Sequence, residues 1–188
     1  HFIVESCEYT NSFLHFYPRH EIILNIEAEH LDFFKDLEDI RHSFRLFMEK
    51  LSAGGHLVIQ GDIAGLDELT NGLSADITTY GLEGSGKTYD YYAANITYDT
   101  NDCGSYDLMH GETLIARISL QVIGAHNISN SVAAAAMANL LGVPVPAIVS
   151  ALHNFIGAKR RFEKKGLKNG VTIVDDYAHH PSEIRATL

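Results

Sequence analysis

Gly81-Leu82-Glu83-Gly84-Ser85-Gly86-Lys87-Thr88, running on into Tyr89-Asp90-Tyr91-Tyr92-Ala93-Ala94-Asn95-Ile96-Thr97-Tyr98, is the stretch on which the fold turns. Its opening residues match the phosphate-loop pattern G-x-x-x-x-G-K-[ST] at every position. A working phosphate loop needs a strand leading in and a helix starting at the Lys-Thr, so that N-terminal amides point at phosphate. The residues after Thr88 are rich in Tyr and include Ile and Thr, β-prone and poor as a helix. The stretch therefore reads as a Gly-rich surface hairpin between two strands, and no phosphate site is assigned to it.

Outward from that turn, residues 76–80, 89–98, 105–109 and 112–122 form runs separated by Gly- and Asp-containing turns, which predicts a β-meander. Farther upstream the rhythm changes. Phe2-Ile3-Val4 and residues 20–26 read as short buried strands. Leu37, Ile40, Phe44, Phe47, Met48 and Leu51 recur at helical spacing, Gly54-Gly55 stops that helix, and residues 56–60 are again a strand. Downstream, an Ala-rich helix over 130–141 closes at Gly142, and a second over 146–155 carries Ile148, Val149, Leu152 and Phe155 on one face. A basic cluster, Lys159-Arg160-Arg161, precedes a hairpin turn near Lys168-Asn169-Gly170 and a strand over 171–174 ending in Asp175-Asp176. Pro181 suits a first helical position, with Ser182 and Glu183 in the first turn. Alternating strands and helices predict an α/β fold, a mostly parallel sheet flanked by helices with a small antiparallel β-sheet appended. Both ends of the sequence read as cuts.

Composition narrows the function. The chain has 188 residues, 46% hydrophobic and 20% charged, which is ordinary for a soluble globular protein. The longest apolar stretch, residues 131–141, is too short to span a bilayer, and no segment reads as a signal peptide. A formal charge of −10 repels nucleic acid and anionic membranes, so neither nucleic-acid binding nor membrane insertion is expected. It leaves room for an anionic nucleotide, because Mg²⁺ and a few local cations outweigh a diffuse background. Cys7 and Cys103 show no metal-ligand spacing, which points to a reducing cytoplasm.

Three clusters carry a family resemblance. Glu5-Ser6-Cys7-Glu8-Tyr9-Thr10-Asn11-Ser12-Phe13-Leu14 is similar to E-A-x-E-x-x-x-S-F-L, and Asn25-Ile26-Glu27-Ala28-Glu29-His30-Leu31-Asp32 to N-I-E-x-D-H-x-D. The third joins Gly124-Ala125-His126-Asn127-Ile128-Ser129-Asn130 to Arg160-Arg161-Phe162-Glu163 and Asp175-Asp176-Tyr177-Ala178-His179-His180-Pro181. Their order and types resemble the Mur ligase family, in its alanine-adding branch, over nearly the whole chain. The resemblance implies an ATP- and Mg²⁺-dependent amide-bond-forming ligase of peptidoglycan synthesis. Such an enzyme activates the lactyl carboxylate of UDP-N-acetylmuramate as an acyl phosphate, which the amine of L-alanine attacks. It also implies domains: a central ATP-binding domain over residues 1–157, short of its own phosphate loop, and over 158–188 a linker and the start of the C-terminal ligase domain. A fragment so cut is expected to be inactive alone, and the phosphate loop is expected upstream of His1.

Phosphoryl transfer asks for charge neutralisation and alignment. By resemblance Glu8 is a Mg²⁺ carboxylate, with Glu5 the lesser candidate, and His30 a second Mg²⁺ contact. Mg²⁺ prefers oxygen, so the histidine rests on the family alone. Glu29 stands where the family commonly has Asp. Some sister ligases place a carbamylated lysine about where Arg45 stands here, and the alanine-adding branch lacks that lysine. His126, Asn127 and Asn130 open the Ala-rich helix and are assigned to adenine, although an Asn there also suits an N-cap. Arg161 is the phosphate clamp, its guanidinium fork matching phosphate oxygens, while Lys159 and Arg160 equally suit a solvated basic face. Tyr177 is placed near adenine, Asp176 and His179 facing the reaction centre, and His180 is held extended before proline. Two other readings stay open: a related ligase that recycles a murein tripeptide, and an unrelated nucleotide-binding module built on residues 81–88.

Overall fold

The computed structural model describes residues 2–179 together with Ile184 and Arg185. Six strands form one sheet in chain order: β1 (His20–Ile23), β2 (His56–Gln60), β3 (Asp76–Leu82), β4 (Tyr91–Tyr98), β5 (Cys103–His110) and β6 (Thr113–Ile123). β1 to β4 run parallel, with His20 beside His56, His56 beside Asp76 and Tyr80 beside Tyr91, whereas β5 and β6 pair antiparallel. The expected α/β sheet is therefore present, and its antiparallel strands continue the parallel part rather than standing apart from it. A separate two-stranded antiparallel sheet joins β7 (Glu163–Lys168) to β8 (Val171–Asp175). Its turn, Asn169-Gly170, has φ of 52° and 80°, the two positive values that an Asn-Gly hairpin supplies.

Helices cover both faces. Successive strand residues point to opposite sides, so Leu57 and Ile59 of β2 join Ile23, Met48, Leu51 and Leu69 on the side of α1 (Leu37–Met48) and α2 (Leu66–Thr70). Val58 joins Tyr80, Tyr91, Tyr106, Ile128 and Val132 beneath α3 (Ala125–Leu140) and α4 (Val145–Asn154). All three β2 residues are fully buried, as a short apolar run inside a parallel sheet requires. Ala133, Ala135 and Ala136 of α3 are buried too, and such small side chains let the helix lie close over β2 to β5. α1 starts at Asp36, whose carboxylate accepts from the Asp39 amide at 3.0 Å, with Glu38 and Asp39 complementing the helix dipole. Arg45 is committed to structure: its guanidinium donates to the Leu69 and Asn71 carbonyls at 2.9 and 2.7 Å.

Three expectations need correction. Phe2-Ile3-Val4 forms no strand among the described residues, and Phe2 and Ile3 are 88% and 91% exposed, since no neighbouring strand offers them hydrogen bonds. Residues 76–82 belong to the parallel part of the sheet. Residues 81–88 are accordingly no hairpin, because β3 and β4 run the same way and residues 83–90 form a tight crossover. Parallel neighbours ordinarily need a connection of about a dozen residues or more. Here β4 meets β3 only at Tyr80, Gly81 and Leu82, so the chain retraces no more than the last three residues of β3. Asp90 then pins the return, its carboxylate accepting from both the amide and the hydroxyl of Thr79 at 2.7 Å.

Glu21 is 4% exposed with neither carboxylate oxygen partnered, and burial pushes its pKa up to about 8. It is carried neutral at pH 7. No helix among the described residues is long and apolar enough to cross a membrane. The expected helix start at Pro181, with His180, Ser182 and Glu183, lies outside the described residues.

Candidate functional site

The carboxyl ends of β1 and β2 and the first turns of α3 line one cavity, at the edge where open α/β sheets bind ligands. Past β1 the chain turns at His30, whose φ of 52° is a left-handed value that His tolerates better than most residues. That turn brings His30 Nε2 to 3.1 Å from Glu8 Oε1. The Tyr9 ring packs on the imidazole at 4.7 Å, and its hydroxyl donates to Asp32 at 2.8 Å. That hydrogen bond and the Asp32 charge hold the Tyr9 pKa above its usual value. Glu29 completes a cluster: one ligand atom from each of Glu8, Glu29 and His30 lies within 4.8 Å of the others. Glu8 and Glu29 also border a hollow of about 90 Å³ with Asn25 and Glu27. Two carboxylates so close repel one another unless a cation lies between them, and their oxygens suit Mg²⁺, with the imidazole as the less usual donor. The residues present fit such an ion.

Asn25 also borders a second, larger cavity of about 420 Å³, so the two hollows adjoin. Its other polar walls are Gln60, Asp62, His126, Ser129 and Asn130, and Leu24, Ile26 and Ile63 line it with apolar surface. α3 is preceded by Gly124, with φ 93° and ψ 145°, and no side chain caps the helix there. Of the three residues on α3 assigned to adenine, His126 and Asn130 line the cavity. Asn127 instead donates its side-chain amide to the Ile123 carbonyl at 2.8 Å, tying the helix to β6. Burial holds the His126 imidazole below its usual pKa; the Asp176 carboxylate opposes that shift and Arg161 adds to it. His126 is thus neutral at pH 7, with one ring nitrogen a donor and the other an acceptor.

Asp176 and Arg161 come together through the backbone. The Asp176 carboxylate accepts from the amides of Phe162 at 2.7 Å and Ala178 at 2.6 Å, while the Tyr177 amide donates to the Arg160 carbonyl at 2.8 Å. Residues 160–162 and 176–178 therefore form one knot, with Arg161 exposed between its anchors. Arg160 and Phe162 have φ of 59° and 46°, unusual for residues with a Cβ. The Tyr177 ring is exposed, with the Arg160 guanidinium over it at 4.8 Å and the His179 ring beside it at 5.3 Å.

Residues 1–138 match the family model described as Mur ligase middle domain, and residues 160–188 match the one described as Mur ligase, glutamate ligase domain. The chain belongs to the Mur ligase family. It is 54% identical over its whole length to a UDP-N-acetylmuramate–L-alanine ligase of Agathobacter rectalis, and 55% identical to one of Lachnoclostridium phytofermentans. It spans about 40% of the length of those relatives. The UDP-N-acetylmuramate-alanine ligase of Thermotoga maritima superimposes with a TM-score of 0.75 at 26% identity, over 94% of this chain and 38% of that one.

Asp62, Gln60 and Ser129 line the cavity of this Mur ligase domain, and none of them was singled out from sequence. For Asp62 a signal existed: it stands two residues past the apolar β2 run, at a strand's carboxyl end. For Glu29 the signal was its place directly before His30.

Proposed function

We propose that this chain is the ATP-handling centre of a UDP-N-acetylmuramate–L-alanine ligase, which joins L-alanine to the lactyl carboxylate of the sugar nucleotide through an acyl phosphate during peptidoglycan synthesis. The observation that carries this reading is the adjacency of two hollows. A carboxylate–imidazole cluster and a polar cavity at a helix N-terminus share Asn25, in a chain more than half identical throughout to ligases of that name. Residues 1–157 would be the central domain, and residues 158–188 the linker and the opening of the closing domain.

In this reading Glu8 and His30, with Glu29 beside them, hold Mg²⁺, which supplies charge neutralisation for phosphoryl transfer. Asn130 and neutral His126 present donors and acceptors to the adenine edge, with Asn127 bracing the helix that carries them and Tyr177 offering an aromatic face. Arg161 reaches phosphate oxygens, and the knot at Asp176 aims it, together with His179, at the reaction centre. Alignment and charge neutralisation are most of what this chemistry asks of a protein.

The test is phosphate release from ATP by the full-length protein. Release should require both L-alanine and UDP-N-acetylmuramate, and Glu8→Gln should lower it by about a hundredfold or more. Release with either partner omitted overturns the reading. Preference for a murein tripeptide over L-alanine would reassign the protein to the recycling ligases.

A further inference from the structure

The loop that imitates a phosphate loop packs against the wall of the larger cavity. Gly61 and Gly81 leave a slot occupied by the Tyr89 ring: a Cβ at either position would come within 2.5 Å or less of it. From that slot the Tyr89 hydroxyl donates to Asp62 Oδ1 at 2.6 Å and meets the Ser85 hydroxyl. Lys87 Nζ donates to the Gly61 carbonyl at 3.0 Å and lies 3.7 Å from Asp62 Oδ1. The other carboxylate oxygen accepts from Gln60 Nε2 at 3.1 Å. Asp62 is thereby fixed through both oxygens, yet its side chain stays 40% exposed where it lines the cavity.

We propose that Asp62 reads the ribose hydroxyls of the bound nucleotide, and that Tyr89 and Lys87 are the positioning residues that hold it. The proposal rests on the ligase reading, in which this cavity takes ATP. A carboxylate repels phosphate and accepts from neutral donors, so the Asp62 wall suits the nucleoside end of the ligand. The triphosphate belongs toward the cation cluster beyond Asn25. Each carboxylate oxygen keeps lone-pair capacity beyond its present donors. A vicinal diol offers two donors, and a carboxylate at a strand's carboxyl end takes ribose hydroxyls in dinucleotide-binding folds. Holding the carboxylate in advance removes the ordering cost at binding. Lys87 offsets part of the charge without reaching a helix N-terminus.

The experiment compares KM for ATP, 2′-deoxy-ATP and 3′-deoxy-ATP in the full-length protein. The unsubstituted protein should disfavour at least one deoxy analogue by about tenfold or more, the scale of a hydrogen bond to a charged group. Asp62→Ala should raise KM for ATP to that of the disfavoured analogue, leave the analogue unchanged and keep kcat within about threefold. Asp62→Asn, which preserves volume, guards against misfolding and should shrink the ratio likewise. Tyr89→Phe and Lys87→Met should narrow it by a smaller factor. An unchanged ratio in both Asp62 variants, with normal turnover of ATP, overturns this inference alone. Failure of the unsubstituted protein to use ATP overturns the ligase reading and this inference with it.

Discussion

β3 carries a glycine, Gly81, one residue before its end, and β6 has one, Gly124, just past its end, yet their continuations differ completely. After Gly81 the chain carries a full phosphate-loop pattern, yet it returns as a parallel strand, and its lysine amine donates to the Gly61 carbonyl. After Gly124 there is no such pattern, but sixteen residues of helix begin at once, and their first turns line the cavity. The comparison teaches that the spacing of Gly and Lys is not what makes a nucleotide site. A phosphate loop also needs a helix starting at its Lys-Thr, with the first amides aimed at the ligand, and residues 81–88 lead into β4 instead. Without the helix, the same residues serve as packing and as a brace for a neighbouring carboxylate.

Substitutions at these two turns sharpen the contrast. The largest effect is expected at Gly81, where a Cβ would stand 2.3 Å from the Tyr89 ring. Gly81→Ala should destabilise the protein by about 3 kcal/mol in denaturant unfolding. Adding Tyr89→Ala should recover part of that loss, and full additivity of the two changes would refute the packing account. Gly124→Ala comes next, at about 2 kcal/mol, because φ 93° with ψ 145° suits glycine and a Cβ would come within 2.7 Å of the His126 ring. This variant should also weaken ATP binding by the full-length protein, since it displaces the helix start.

Lys87→Met should be milder, raising KM for ATP by no more than about fivefold, in keeping with a half-exposed ion pair. A loss of a hundredfold or more would show that residues 81–88 act as a phosphate loop after all. The smallest effect is one of pH. His126 has a folded pKa held below its usual value by burial, so the fold binds fewer protons there than the unfolded chain. Its contribution is present above pH 6.5 and is lost as pH falls toward the folded value. Tyr89 has a raised pKa, from burial and then from Asp62, so its contribution is lost as pH rises above 10. His126→Gln should lessen the loss of stability below pH 6.5, and Tyr89→Phe the loss above pH 10, as read from unfolding at a series of pH values.

Much of the site could be seen in the order of residues. The segment Asn25-Ile26-Glu27-Ala28-Glu29-His30 marks itself by clustering acids and a histidine after an apolar strand, and the fold brings Glu8 against it. The Asn169-Gly170 turn declared its hairpin, because few other residues accept two successive positive φ values. The start of α3 was less visible. An Asn at 130 looked like the first helical position, whereas the helix starts five residues earlier at Ala125, behind a glycine that needs no capping side chain. α2, only five residues long, offers too little chain for a helical period to show.

What the sequence determined by itself is whatever depends on near neighbours: the apolar runs of β1 and β2, the 3.6-residue spacing of α1, the turn residues, and the motifs that place the chain among the Mur ligases. Only the tertiary structure decided that β4 runs parallel to β3, that Asn25 joins two hollows, and that Asp62 is gripped by Tyr89 and Lys87. The physical reason is the same for all three. Side-chain alternation along a strand is identical whichever way its neighbour runs, so direction and the contacts between distant loops are set by packing across the sheet, which no local pattern encodes.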